Sequence, residues 1–400
     1  MTTLSDKPLQ FDVTTARSSM RAAVITTPHG SIETPAFIPV GTVASVKGVS
    51  PDQVTSTHAQ AVLANAYHLY LRPGEEIIHK AGGLGKFMNW AGPTFTDSGG
   101  FQVMSLGAGY KKVIDMSDTS ASEPTEHTQH EKPAKVTDAG VEFASHIDGT
   151  KHFFSPTKSI QIQHKIGADI IFAFDELTTL KDSKSYQQEA LDRTHRWAQE
   201  CLKEHQRLNA RQQTPQALFG VLQGANYQDL REQTATFMSQ LDFDGYGLGG
   251  AIEKRKIEEI IGWMTAILPD DKPRHLLGIS EPEDLFAGVA AGADTFDCVA
   301  PTRQGRNGAI YTATGRYNVL RQEFEADFSP LEADCRCTTC QNFTRSYVRH
   351  LIKSKESLGG TLASIHNIYF TVNLVTLMRQ AIIAGDFDKL RATWLKHYLK

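Results

Sequence analysis

Short apolar runs recur along this chain, and most end in a polar residue or a glycine cluster. TPAFIPVGT stops near Gly41, AVLANAYH at Asn65 to His68, PTFTDSGGFQ at Asp97 and GADIIFAFDE at Asp175. QALFGVLQG, FDGYGLGG, RHLLGIS and GADTFDCVAPT stop at Gln223, Gly249–Gly250, Gly278 and Asp297. Amphipathic stretches lie between several of them. In QQEALDRTHRWAQECLKEHQRL, the residues Ala190, Leu191, His195, Ala198, Cys201 and Leu202 fall near one helical face; YQDLREQTATFMSQL and EPEDLFAGVAAG read the same way. Strand, polar end, helix, strand is the rhythm of parallel β/α units. About eight such strands close most economically into an α/β architecture, the (β/α)8 TIM barrel, whose functional groups sit where the strands end. The polar groups named above are those ends.

Two stretches break the rhythm. Residues 111–139, rich in Ser, Thr, Glu, Lys and Pro, read as an exposed mobile loop inserted in the barrel, with His127 and His130 as solvated loop histidines. After about residue 317 a cysteine cluster and then helices follow. The expected division is therefore a catalytic barrel over 1–316 and a zinc-binding, helical subdomain over 317–400, packed on the barrel.

Composition changes this picture little, but charge does. The net charge of −4 argues against a protein that is basic all over. Residues 301–400, however, carry 14 Lys/Arg against 8 Asp/Glu, while the remaining residues are strongly acidic. The C-terminal quarter is thus the expected surface for a polyanion. Five cysteines, three of them crowded together, do not make a secreted disulfide framework. The N-terminus MTTLSDKPLQ lacks the basic and apolar segments of a signal peptide, and no run approaches a membrane span, so the expected location is the cytoplasm.

Cys335-x-Cys337-x-x-Cys340 brings three thiolates within reach of one ion, and His366 in the later helix offers the fourth ligand of a closed, structural Cys3His zinc site. Asp97, Asp175 and Asp297 each end a strand-like run. A lone aspartate there is often only a helix N-cap, but three converging on one barrel mouth suggest chemistry. Two close carboxylates let one attack a sugar carbon while the other handles a proton. Glycine pairs at 99–100 and 249–250 would let a flat ring approach the backbone, with Phe101 or Tyr246 stacking on it. Asp175 and Gln223 suit the edge of a guanine-like base. Arg303 and Arg306, just beyond Asp297, could grip phosphates or form a solvated surface pair.

TDSGGFQVMSL, ANAYHLYLRPG, AFDE, GVLQG, FDCVAPTRQGRNG and the Cys-x-Cys-x-x-Cys…His366 set together resemble the tRNA-guanine transglycosylase (queuine tRNA-ribosyltransferase) family of bacterial and eukaryotic type, from about Thr34 onward. The resemblance implies a zinc-containing (β/α)8 barrel. It also implies exchange of guanine at the wobble position of tRNAs with GUN anticodons for a 7-deazaguanine, through a covalent ribosyl-aspartate. It makes Asp297 the nucleophile and Asp97 the general acid/base, and puts Asp175, Gln223, Gly250 and Phe101 at the base. Asn65 and Gln102 then lie near the reaction centre, and Arg303 and Arg306 on tRNA. A homodimer is implied, with Phe87, Phe343, Tyr347 and His350 at its interface.

Two departures from the common bacterial pattern stand out. Leu177 follows AFDE where cysteine is usual, and AIEKR, residues 251–255, replaces LAVGE. Both segments would border the pocket for the incoming base's side chain, which suggests queuine rather than the aminomethyl-deazaguanine. The rival readings are a barrel nucleosidase that transfers to water and a non-catalytic RNA-binding subunit. The basic, metal-bearing C-terminal quarter argues against the first, and the presence of both Asp97 and Asp297 against the second.

Overall fold

Eight short strands with alternating side chains form the centre of the molecule: β1 (Ala36–Pro39), β2 (Val62–Ala64), β3 (Thr94–Thr96), β4 (Ile170–Phe172), β5 (Ala217–Leu222), β6 (Gly245–Leu248), β7 (Arg274–Leu276) and β8 (Thr295–Cys298). The computed structural model describes residues 8–105 and 134–398. Each strand pairs in parallel with its successor; β8 pairs back onto β1, with Asp297 opposite Ile38, and a parallel bridge from Val40 to Leu63 closes the ring. The (β/α)8 barrel expected from the sequence is therefore present, and its eight strands are the eight runs read there.

Alternation decides what fills the barrel. Ile38, Leu63, Phe95, Ile170, Phe172, Phe219 and Val221 point inward and form one buried cluster. Phe37, Val62, Ile171, Leu218, Leu248, Leu276 and Phe296 have the opposite parity and pack against the surrounding helices. Large rings inside need small neighbours. A Cβ on Gly245 would lie 2.5 Å from the Phe219 ring, and one on Gly247 3.0 Å from Phe172. An antiparallel sheet of Gln10–Arg17, Met20–Thr27 and Gly30–Thr34 covers the lower end, where Leu9, Ile25 and Ile32 join the inner cluster.

Two helices matter below: α1 (Ala300–Arg306), which leaves β8, and α2 (Ser357–Ala384), which lies along it. A hairpin, Ala309–Thr312 with Gly315–Asn318, and helices Thr338–Asn342 and Arg345–Lys353 enclose a separate small core that includes Ile310, Leu331, Val348 and Leu362.

One expectation needs correcting. Residues 134–137 are not loop: Ala134–Thr137 is a strand, joined by a turn at 138–139 to Gly140–Ala144, with which it pairs antiparallel and which pairs in turn with Lys151–Phe154. Its alternation lets Ala134 and Val136 pack on the main core, a pattern too short to stand out beside a polar tract. The rest of the 111–139 stretch, His127 and His130 included, lies outside the described residues.

Candidate active site

The carboxyl-terminal ends of β2, β3, β4, β5, β6, β7 and β8 present, in turn, Asn65, Asp97, Asp175, Gln223, Gly249–Gly250, Gly278 and Asp297. Asp97 follows β3 directly. Its Oδ1 accepts from the Ala66 amide at 2.8 Å; its Oδ2 accepts from the Gln102 side chain at 2.8 Å and from Asn65. Burial, and then the negative charge of Asp297, raise the Asp97 carboxyl to about 6 despite these donors. The two aspartates are thus close enough to repel one another. Asp297 is mostly buried, and its Oδ1 accepts from the Gly278 amide at 3.0 Å and lies 3.1 Å from His275 Nε2. Its Oδ2 accepts no hydrogen bond among the described residues.

Carboxylates at the other end of the barrel differ. Asp294 is paired with Arg21 and Asp169 with His29, and both also hold backbone amides. Those are structural ties. At the upper end none of the three carboxylates has a Lys or Arg partner among the described residues, and for Asp97 and Asp175 burial outweighs the hydrogen bonds they accept.

Asp175, three residues past β4, accepts from Gln223 Nε2 and from Ser98 Oγ at 3.3 Å. Burial is again the largest reason its carboxyl is raised to about 6, with the Asp97 charge adding to it. Gln223 Oε1 is buried without a partner among the described residues. Gly250, in the left-handed region at φ +86°, sits beside that oxygen: a Cβ there would lie 2.4 Å from it. Phe101, on the helix Gly100–Ser105, is 42% exposed and free to stack on a ligand. Tyr246, the other ring considered from sequence, is not. It shares the outward parity of Leu248 and is wholly buried behind the barrel.

Arg303 and Arg306 lie on α1. Neither pairs with a carboxylate among the described residues, and Arg306 Nη1 is buried without an acceptor. Leu177 and Glu253 both border the upper end: Leu177 is half-buried, and Glu253 accepts from Asn226 and pairs with Lys256 at 3.2 Å. Phe343 and Tyr347 stack at 5.7 Å, and Tyr347, Phe87 and His350 are exposed.

The four metal-ligand candidates come together. One ligand atom from each of Cys335, Cys337, Cys340 and His366 lies within 4.8 Å of all the others, and none of the cysteines is in a disulfide. His366 Nδ1 stands 3.3–3.6 Å from the three sulfurs. Its Nε2 donates to the Tyr311 carbonyl at 2.7 Å, which turns the Nδ1 lone pair toward the thiols. This donor set and its orienting contact fit a metal ion.

A family model described as queuine tRNA-ribosyltransferase matches residues 16–400. The chain belongs to that family. Relatives named queuine tRNA-ribosyltransferase include those of Desulforamulus reducens, 45% identical with 94% of each chain covered, and Halothermothrix orenii, 44% identical over 95% of this chain and 94% of that one. The protein of the same name from Geobacillus kaustophilus is 43% identical over 98% and 97%. As a queuine tRNA-ribosyltransferase family member the chain is an enzyme, a pentosyltransferase. Among the described residues no helix is long and apolar enough to cross a membrane.

Sequence reasoning missed three groups at this family site. Ser98 touches Asp175, and His275 touches Asp297. Arg231, wholly buried, reaches the carbonyls of Ala225 and Gly249 at 2.8 Å and so ties the loops after β5 and β6 together. For His275 and Arg231 the available signal was a basic residue inside an apolar or helical run. Its parity gives the direction in which it points, but not the neighbour it meets.

Proposed function

We propose that this enzyme exchanges guanine at the wobble position of tRNAs with GUN anticodons for a 7-deazaguanine, in queuosine modification, through a ribosyl ester of Asp297. Oδ2 of Asp297 attacks C1′ as the bond from C1′ to N9 breaks, and Asp97 gives a proton to the departing guanine. The incoming base then loses its N9 proton to Asp97 and attacks C1′, and the electron pair of the ester bond returns to the Asp297 carboxylate. Two inversions give net retention. The observation that carries this reading is the pairing at one barrel mouth: Asp97, raised to about 6 by burial and by the Asp297 charge, and Asp297, whose Oδ2 accepts no hydrogen bond among the described residues. A carboxyl near neutrality can serve both as acid and as base.

The remaining roles complete this reading. Gln223 Oε1 and the Asp175 carboxylate supply acceptors for guanine N1 and N2, Gly250 leaves room for the base edge, and Phe101 stacks on the base. Asn65 and Gln102 hold Asp97 in place. Arg303 and Arg306, unpaired with carboxylates among the described residues, take tRNA phosphates. Zinc occupies the Cys3His cluster as a structural ion and supplies no chemistry to the exchange; residues 317–400 form the subdomain that it holds to the 1–316 barrel. The enzyme works in the cytoplasm as a homodimer that meets through Phe87, Phe343, Tyr347 and His350. Leu177 and the 251–255 segment, with the Glu253 carboxylate, favour queuine; competition between queuine and aminomethyl-deazaguanine tests this, and a strong preference for the latter rejects it.

Incorporation of labelled guanine into tRNA is the deciding assay. Transfer to water would leave no label in the RNA. Asp297→Asn should abolish both the label and the covalent protein–tRNA adduct, and an adduct that survives this change refutes the assignment.

A further inference from the structure

His275 stands on β7 with its ring inside the barrel and no exposure to solvent. Phe95 and Phe172 flank it at centroid distances of 5.6 and 5.3 Å. Its Nε2 is 3.1 Å from Asp297 Oδ1, and its Nδ1 is 2.8 Å from Thr295 Oγ1. A carboxylate only accepts, so Nε2 carries the hydrogen; in the neutral ring the Thr295 hydroxyl then donates to Nδ1 and fixes that tautomer. The Gly278 amide meets the same Oδ1 at 3.0 Å. Two donors therefore converge on one oxygen of Asp297, and none among the described residues reaches the other.

The geometry points to His275 as the positioning residue of the Asp297 carboxylate: with the Gly278 amide it holds Oδ1, presents Oδ2 to the ribose, and stabilises the carboxylate as the leaving group when the ribosyl ester breaks. This rests on the nucleophilic role proposed for Asp297. In the ester, Oδ1 is a carbonyl oxygen and a weak acceptor. As the incoming base attacks, the electron pair of the bond from C1′ to Oδ2 moves onto the carboxylate and spreads to Oδ1. The hydrogen bonds from His275 and Gly278 strengthen as that charge grows. They are stronger in the transition state for ester breakdown than in the ester itself, so they accelerate that step. In ester formation the same bonds weaken from start to finish, so they give no such help. Removal of the donor should slow breakdown selectively and let the adduct accumulate. A residue that merely fills the barrel would impair both steps alike.

The test is rapid-quench measurement of adduct formation, and of adduct breakdown on addition of guanine, with the full-length enzyme and tRNA. His275→Phe keeps a ring in the aromatic surroundings and removes the donor. Breakdown should slow by roughly tenfold or more, the worth of a hydrogen bond to a charged group, with formation slowed far less. His275→Gln restores an N–H donor and should recover most of the breakdown rate. Thr295→Val keeps the ring but removes the hydroxyl that fixes its tautomer; it should slow breakdown by a smaller factor, and it serves if the Phe variant does not fold. Equal slowing of both steps, unchanged rates, or a Gln variant no better than Phe would overturn the role of His275 alone. Absence of any Asp297-linked adduct in the unaltered enzyme would instead overturn the mechanism beneath it.

Discussion

Asp97 and Asp175 resist ionisation because each is buried and each feels a neighbouring carboxylate, and their elevated values near 6 have two consequences. The first concerns stability. In the unfolded chain both acids titrate near the ordinary value of about 3.9. Between that value and about 6 the folded state binds more protons than the unfolded one, so rising pH through this window lowers stability, and the loss persists above it. Asp175→Asn has no such titration. Its stability relative to the unaltered enzyme should improve, by on the order of 1–3 kcal/mol, as pH rises from about 4 to about 7. Denaturant unfolding at several pH values reads this difference directly, and a flat difference would reject the cause assigned here. The second consequence concerns rate. In the proposed mechanism ester breakdown uses Asp97 as a base, so in single-turnover experiments it should fall as pH drops below about 6.

In the proposed base contacts, Gly250 lets a loop set specificity without contributing a side chain. Its left-handed backbone and the nearby Gln223 Oε1 leave no space for a Cβ. Gly250→Ala combines backbone strain of about 1–3 kcal/mol with displacement of Gln223. Steady-state exchange should show a KM for guanine raised by roughly tenfold, and an unchanged KM would place the base elsewhere. The eight strand ends were legible in the sequence because a parallel strand is an apolar run and its polar terminus breaks that run. Parity was legible too, and would have excluded Tyr246: in Gly245–Leu248 the tyrosine alternates with glycines and matches Leu248, so it points outward. Contacts between runs far apart in the chain were not legible. Nothing within RHLLGIS says that His275 faces Asp297, because that meeting is set by the register of β7 against β8. The small sheet after residue 134 was hidden for another reason, since its strands mix polar and exposed positions with apolar ones instead of forming apolar runs.

Across the whole molecule, the Cys3His cluster and α1 are joined through a single turn of α2. Asn367 donates to the carbonyls of Pro301 and Ala309 and accepts from the Tyr311 amide, while Ser364 reaches the Thr302 carbonyl. His366, between them, donates to Tyr311. Cys335→Ser should lower the zinc content of the purified protein and its thermal midpoint without removing any group from the barrel mouth. Arg303→Ala and Arg306→Ala should each weaken tRNA binding and reduce the salt dependence of the binding constant by about one charge, as seen in binding titrations over a range of salt concentrations. The backbone contact is equally close on the α1 side, where a Cβ on Gly305 would lie 2.9 Å from Ala363. If the Cys3His cluster holds zinc and Arg303 and Arg306 grip tRNA, as proposed, a cell starved of that trace element should make an enzyme with poor grip, and the modification level of the anticodon would report nutrition as well as supply of the base.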